Sequence, residues 1–476
     1  MNPRLLKFLK VGAVVAGLIC VGAAAAAIAI YENRKADPPP PERPCADTCR
    51  FSFVESIPIG LNLGSPGHLS IFEAWKWLIT ESQTSLDISA AYWSLQGNLT
   101  VYPSAWQGNK IFQLLKTKGS EVNIRIAESA KLFGPNKDSE QLAELGLATV
   151  RSLNFTRFLG HGILHTKFIL ADDQHFYIGS ANMDWKSLNQ IHELGVFVTN
   201  CSCLALDLKK IFSVYWAMGQ PNAQVPEQWP QDLATLHNAT NPFTLALNGT
   251  ASEVYLTSSP PPLSPQNREQ DIDGLLKVLS DAKTFIHIAV MDYAPALVFQ
   301  WPRKYWNKID EALRIAAYDR GIKIKFMGAK WNNTKPSMIA FLKSLDSMNG
   351  ALTRSKGSIE VKLFEVTSTA SQSQIPYARV NHDKYMVTDS SAYISNNSKN
   401  SGIYTVRKTF SGIGISPRNP FYNSTFFYDV KHRQIYSGTV EDTAELFPFI
   451  YRRAIDDPDD NSGMRTPRNR KFLKGK

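Results

Sequence analysis

The spacing of apolar residues changes along this chain in a pattern that occurs twice. "IFEAWKWLITES" (71–82) carries its apolar residues at helical spacing, and "SLDISAAYW" (85–93) follows as a largely apolar run of strand length. The same pair returns as "IDGLLKVLSDA" (272–282) and "FIHIAVMDY" (285–293). A further pair follows each: "IFQLLKTKGSEVNIRI" (111–126) and "IDEALRIAAYDRGIKIKF" (309–326) both read as a helix, a glycine near its end and an alternating strand. Leu86 stands 200 residues before Ile286 and Val122 stands 200 before Ile322, so the repetition keeps its spacing over two elements. Alternating helices and strands predict an α/β fold, and the repeat predicts two similar α/β domains packed as a pseudo-two-fold dimer within one chain.

The ends of the chain break this pattern. Val11 to Ile30 is a run of 20 uncharged, mostly apolar residues, the length of a membrane-spanning helix. Arg4, Lys7 and Lys10 precede it and the charges just after it cancel, which puts residues 1–10 in the cytosol and everything after residue 30 in a lumen. A cleaved signal peptide is the rival reading of 11–30 and sends the rest of the chain to the same side. Residues 31–44 read as a Pro-rich stalk, 45–220 as the first domain, 221–265 as a linker ending in "SSPPPLSP", 266–455 as the second domain and 456–476 as a polar, aperiodic tail.

Composition adds less than it first suggests. With 476 residues, 43% of them hydrophobic, the chain can bury a large core. Of its formal charge of +10, residues 1–35 carry +4 and residues 456–476 carry +2, so the remainder is nearly balanced and gives no argument for a nucleic-acid partner. Asn-x-Ser/Thr acceptors at Asn98, Asn154, Asn200, Asn238, Asn248, Asn332 and Asn423, with one more at Asn396, fit a glycosylated lumenal protein. Outside the apolar run stand Cys45, Cys49, Cys201 and Cys203. In an oxidising lumen two disulfides are favoured over a zinc site, and Cys45–Cys203 with Cys49–Cys201 is the preferred of three connectivities.

The chemistry enters through a motif that the repeat duplicates. "HTKFILAD" holds His165, Lys167 and Asp172, and "HDKYMVTD" holds His382, Lys384 and Asp389 at the same spacing. Either copy alone is weak, but two at matching places in a repeat are not. Strand alternation puts each histidine on the same face as its lysine. Two domains related by a two-fold axis then bring two imidazoles and two ammonium groups to one pocket. That set suits a phosphodiester: the lysines hold the phosphoryl oxygens, one imidazole attacks phosphorus and the other, protonated, gives the leaving oxygen its proton. No metal or other cofactor is required.

Both copies resemble the HKD signature of the phospholipase D superfamily. Together with "YIGSANMDWKSL", "ELGV", "NCSCL" and "IPYARVNHDKYMVTD" they look like the branch that contains phospholipases D three and four. The resemblance implies a type II membrane glycoprotein of the endoplasmic reticulum, Golgi and endolysosomal lumen, acting as an acid 5'-exonuclease on single-stranded DNA or RNA. It implies His165 as the nucleophile that forms a phosphohistidine and His382 as the general acid. Lys167, Lys384 and Asn182 are then phosphate-binding, with Ser180 in the same turn. Asp172 and Asp389, though part of the motif, look more structural than catalytic, and Glu193 resembles a position that orients a histidine. The second copy departs from the pattern after Asp389: Ser395 stands where a glycine is expected, leaving Asn397, Asn396 and Asn400 as rivals for the phosphate-binding amide. Tyr92, Trp93, Trp185 and Tyr293, near strand ends, are candidates for stacking bases, with core packing as the plainer reading. A phospholipid hydrolase or transphosphatidylase, and a catalytically impaired membrane glycoprotein of the same fold, are the alternatives. A homodimer is left open.

Overall fold

The computed structural model describes residues 49–395 apart from 62–68, 131–133, 161, 249, 298–303 and 353–354, and the backbone of three later strands, Phe410–Pro417, Thr425–Asp429 and Gln434–Gly438. The expected anchor 11–30, stalk 31–44 and tail 456–476 lie outside the described residues. Among the described residues no helix is long and apolar enough to cross a membrane.

Helix Ile71–Glu81 forms where the periodicity placed it. Ser70 caps it by accepting from the Glu73 amide (3.2 Å), and its stripe Ile71, Ala74, Trp75, Leu78 and Ile79 is buried. Helix Asp271–Asp281 repeats this in the second half, burying Leu275, Val278 and Leu279. Each feeds a strand, Ser85–Ala90 and Phe285–Val290, at the centre of a sheet.

In the first sheet the strands run in the order Leu69–Ser70, Arg50–Ser56, Glu193–Thr199, His175–Gly179, Phe168–Ala171, Ser85–Ala90, Asn123–Ser129 and Thr149–Leu153. In the second they run Phe243–Leu247, Thr250–Ser259, Phe410–Pro417, Ala392–Ser395, Lys384–Thr388, Phe285–Val290, Lys323–Lys330 and Ser358–Glu365. From the second strand of each series onward, order and sense agree. The last three strands are parallel and joined through helices, and the rest pair antiparallel. Register agrees too, with Leu86 opposite Ile124 and Ile286 opposite Ile324. The fold is α/β. Helices 71–81 and 106–118 cover the outer face of the first sheet, and helices 271–281, 308–318 and 336–346 that of the second. The inner faces share one core, in which Phe168, Ile178 and Val196 join Ala289, Met327 and Ile394, with Leu204, Leu208 and Phe212 of helix Ser202–Met218.

One boundary differs from expectation. Residues 221–265, read as a linker, contain strands Phe243–Leu247 and Thr250–Ser259 of the second sheet. The proline run that suggested a link is the short turn Pro261–Leu263 at the end of the longer strand, so it marks a bend inside the fold. Just beyond it, Arg268 reaches back to helix Ser202–Met218 and grips Asp207 with two bonds of 2.6 and 2.7 Å, both side chains fully buried. Removing one partner strands the other charge in the interior. Arg268→Ala is therefore expected to cost about 3–5 kcal/mol in urea denaturation, and the double change Arg268→Met with Asp207→Leu much less.

Candidate active site

The site begins with two glycines in neighbouring strands. Gly179 of the "GSAN" turn pairs with Gly195 of "ELGV", and a Cβ on either would lie 2.4 Å from the Tyr177 side chain. The two glycines make the slot in which that ring lies. Its hydroxyl in turn accepts from the Ala181 amide (3.3 Å), and the Asn182 amide donates to Ser187 Oγ (3.2 Å), so the turn is held from both sides. Asn182 is buried, and its Oδ1 has no hydrogen-bond partner among the described residues.

The motif side chains lie beside this turn. His165, Lys167, His382 and Lys384 are all buried. Lys167 Nζ donates to His165 Nδ1 at 2.8 Å, a bond that needs an unprotonated nitrogen there, and it also bonds the His165 carbonyl. Lys384 Nζ likewise bonds the His382 carbonyl. His382 Nδ1 donates to Glu193 Oε2 at 2.6 Å, although Glu193 belongs to the first half. Ser187 Oγ donates to the other oxygen of Glu193 at 2.8 Å. Lys167 of the first motif also acts electrostatically on His382 of the second.

Burial and this charge set pull the groups in different directions. Burial pushes the His382 imidazole down to about 4, against the opposing pull of Glu193, and pushes the Lys384 ammonium down to about 7, against Glu193, Asp383 and Asp292. Burial alone would raise the Glu193 carboxyl, but His382, Lys384 and Ser180 outweigh it and hold Glu193 below the usual carboxylate range. The pair is thus a carboxylate accepting from a neutral imidazole, which leaves His382 Nε2 as the nitrogen that takes up or gives a proton.

Several expected residues sit elsewhere. Asp172 accepts from the amides of Gln83, Thr84 and Ser85 and from Thr84 Oγ1, all at 2.8–2.9 Å. Asp389 does the same for Lys283, Thr284 and Phe285 in the second half. Both carboxylates close the loop between a helix and its strand, at the end of the motif strand away from its histidine, so neither belongs to the catalytic set. Burial would raise Asp172, but the amide bonds prevail and lower it. Ser180 Oγ donates to the Leu194 carbonyl and accepts from the Leu194 amide (both 3.1 Å), so it pins the turn to the strand and is not free for substrate. Trp93, Trp185 and Tyr293 are buried in the core, Trp185 stacked on Tyr102, and the Tyr92 hydroxyl is held by Asp184 (2.9 Å). The three buried rings offer no face to bases, and Tyr92 is half-buried.

Asn397, with Asn396 and Asn400, lies outside the described residues, as does Asn423. Asn98, Asn154, Asn200 and Asn332 are exposed and Asn238 half-buried, whereas Asn248 bonds both the amide and the carbonyl of Phe51. Cys49 and Cys201 form a disulfide. Cys203 is disulfide-bonded as well, which leaves no thiolate of this cluster for zinc, and its expected partner Cys45 lies outside the described residues.

The register also reveals an asymmetry that the sequence did not. Gly179 pairs with Gly195, and Ser395 pairs with Gly412. Ser395 thus occupies the place of Gly179, and Phe410 occupies the place of Glu193. The histidine-orienting carboxylate belongs to one half only at this register position.

Over residues 63–369 the chain matches the family described as PLD3/4, PLD-like domain. That span holds the first motif, its turn and Glu193, and stops short of the second motif. The 5'-3' exonuclease PLD3 of Xenopus laevis is 47% identical over 379 residues, covering 78% of this chain and 76% of that protein. The human 5'-3' exonuclease PLD3 is 45% identical over 369 residues, 76% of this chain and 74% of its own. A Caenorhabditis elegans protein named probable phospholipase D F09G2.8 is 40% identical over 383 residues, 79% of this chain and 68% of its own. On the breadth of these matches, the chain belongs to the PLD3/4 PLD-like domain family.

Proposed function

We propose that this protein is a lumenal, metal-independent 5'-to-3' exonuclease on single-stranded DNA or RNA that works through a phosphohistidine at His165. The observation that carries the reading is the pair of histidines in unlike surroundings: His165 beside Lys167, and His382 on the Glu193 carboxylate. In the first step His165 attacks phosphorus, the bond from phosphorus to the leaving oxygen breaks, and His382 Nε2 gives that oxygen a proton. In the second, His382 takes a proton from water as it attacks the phosphohistidine, which restores both groups. Lys167, Lys384 and Asn182 hold the non-bridging oxygens. The matching strand orders support a pseudo-two-fold relation between the halves, with the site between them. The apolar run 11–30 and the exposed sequons support a type II membrane glycoprotein of the secretory and endolysosomal lumen.

The charge states give this reading a pH signature. His382 carries its acid proton increasingly as pH falls toward about 4, and Lys384 loses its charge above about 7. Turnover at pH 5 is expected to exceed that at pH 8 by at least about tenfold. The measurement uses the full-length protein in detergent with EDTA and single-stranded oligonucleotides labelled at one end or the other. Mononucleotide release from the 5' end supports the proposal. Release or exchange of a phospholipid headgroup without oligonucleotide trimming overturns it in favour of a lipid substrate, and no activity on either leaves the impaired glycoprotein.

A further inference from the structure

Next to Glu193 in the chain stands a buried histidine that the chemistry above does not use. His192 is 0% exposed. Its Nε2 lies 2.5 Å from Glu55 Oε1, and its Nδ1 lies 2.6 Å from Asn381 Oδ1 and 2.9 Å from Asp383 Oδ2. Both ring nitrogens face acceptors, an arrangement that the doubly protonated imidazolium satisfies. Burial opposes that charge, but Asp383 and Glu55 outweigh it and hold the imidazole well above its usual value.

The main chain makes the same junction. The His192 amide donates to the Val380 carbonyl (3.0 Å), the His382 amide to the His192 carbonyl (2.8 Å), and the Arg379 amide to the Gln190 carbonyl (2.9 Å). Residue 192 therefore pairs in parallel with residue 381 across the two halves. One position further along each segment lie Glu193 and His382, whose bond orients the second imidazole.

We propose that His192 is a positioning residue for the reaction: its cation, gripped by Glu55 from the first strand and by Asn381 and Asp383 from the second motif, fixes the seam at which Glu193 meets His382. It deepens the proposed two-histidine mechanism and rests on it. Loss of the grip leaves His165 and its lysine in place but lets His382 drift from the leaving oxygen.

The experiment compares two leaving groups. A nucleoside alkoxide needs the proton from His382, whereas p-nitrophenolate departs without one. His192→Gln is expected to lower kcat on a single-stranded oligonucleotide by about 100-fold with KM changed less than about threefold. Single-turnover release of p-nitrophenolate from bis(p-nitrophenyl) phosphate should fall less than about tenfold. Equal losses on both substrates, a loss confined to KM, or no loss at all overturns the proposal. If His192→Gln melts before assay temperature, Glu55→Leu, which removes the acceptor facing His192 Nε2, must give the same split between substrates, and equal losses there overturn it as well. The underlying mechanism fails separately: it is wrong if His165→Ala still releases p-nitrophenolate in single turnover at the wild-type rate.

Discussion

His165→Ala is expected to lose roughly 10⁴-fold or more in kcat on single-stranded oligonucleotide, with the fold and substrate affinity kept. The size follows from removing a group on which both steps depend: without the imidazole no bond to phosphorus forms, so His382 has neither a leaving group to protonate nor an intermediate to hydrolyse. The fold should survive because His165 sits in an extended segment ahead of strand Phe168–Ala171, and its imidazole bonds Lys167, a neighbour two residues along that same segment. The contrast with His382→Ala makes the assignment testable. That variant should slow turnover comparably yet, given bis(p-nitrophenyl) phosphate, whose leaving group departs without a proton, still yield a phosphorylated His165 after alkaline quenching, because attack needs His165 and release of the intermediate needs His382. A phosphohistidine that persists in His165→Ala and vanishes in His382→Ala would exchange the two roles. The structure favours the first assignment, since the carboxylate of Glu193 holds His382 by Nδ1 and leaves Nε2 for proton transfer.

What the sequence revealed about this site was what lies close together in it. The 200-residue offset survives in the strand register because each repeat carries its own helix, turn and strand, all specified within about 40 residues of chain. The histidine and lysine of each motif are two residues apart, so alternation alone puts them together. The same arithmetic separates Asp172 from them. It stands seven residues beyond His165, about 20 Å along an extended chain, at the opposite strand end, and its carboxylate serves the loop there. Glu193 and His382, by contrast, meet across 189 residues, and only the folded register brings them together. That Phe410 takes the place of Glu193 in the second half was hidden for the same reason. Trp93, Trp185 and Tyr293 were misleading because a strand-end position says nothing of which way a ring is turned, and all three face the core. The strands inside 221–265 were missed because prolines at a strand end read as a boundary between domains.

Lys384→Met should move activity and stability in opposite directions. Activity should drop by about 10³-fold, since the ammonium opposes charge on the phosphoryl oxygens in the transition state and methionine fills its volume without that charge. Stability should rise at neutral pH, since burial lowers the ammonium to about 7 despite Glu193, Asp383 and Asp292, so the charged form costs the fold more than those carboxylates return. The sign with pH follows from the depressed value. Lys384 titrates near 7 in the fold against an ordinary value near 10.5, so the folded state disfavours its proton. Below about 7 the lysine is charged in both states and the full penalty is present. Between about 7 and 10.5 the folded protein sheds the proton and the penalty shrinks, and above that range it is gone. The gap in melting temperature between Lys384→Met and wild type is therefore expected to be widest at acidic pH and to close as pH rises through 10. A gap that does not change with pH would mean that methionine stabilises by packing alone. A variant less stable than wild type at pH 5 would mean that the Glu193, Asp383 and Asp292 carboxylates already compensate the buried cation in full. In that case the site costs the fold nothing, and the depressed ammonium is no store of free energy for binding a phosphodiester.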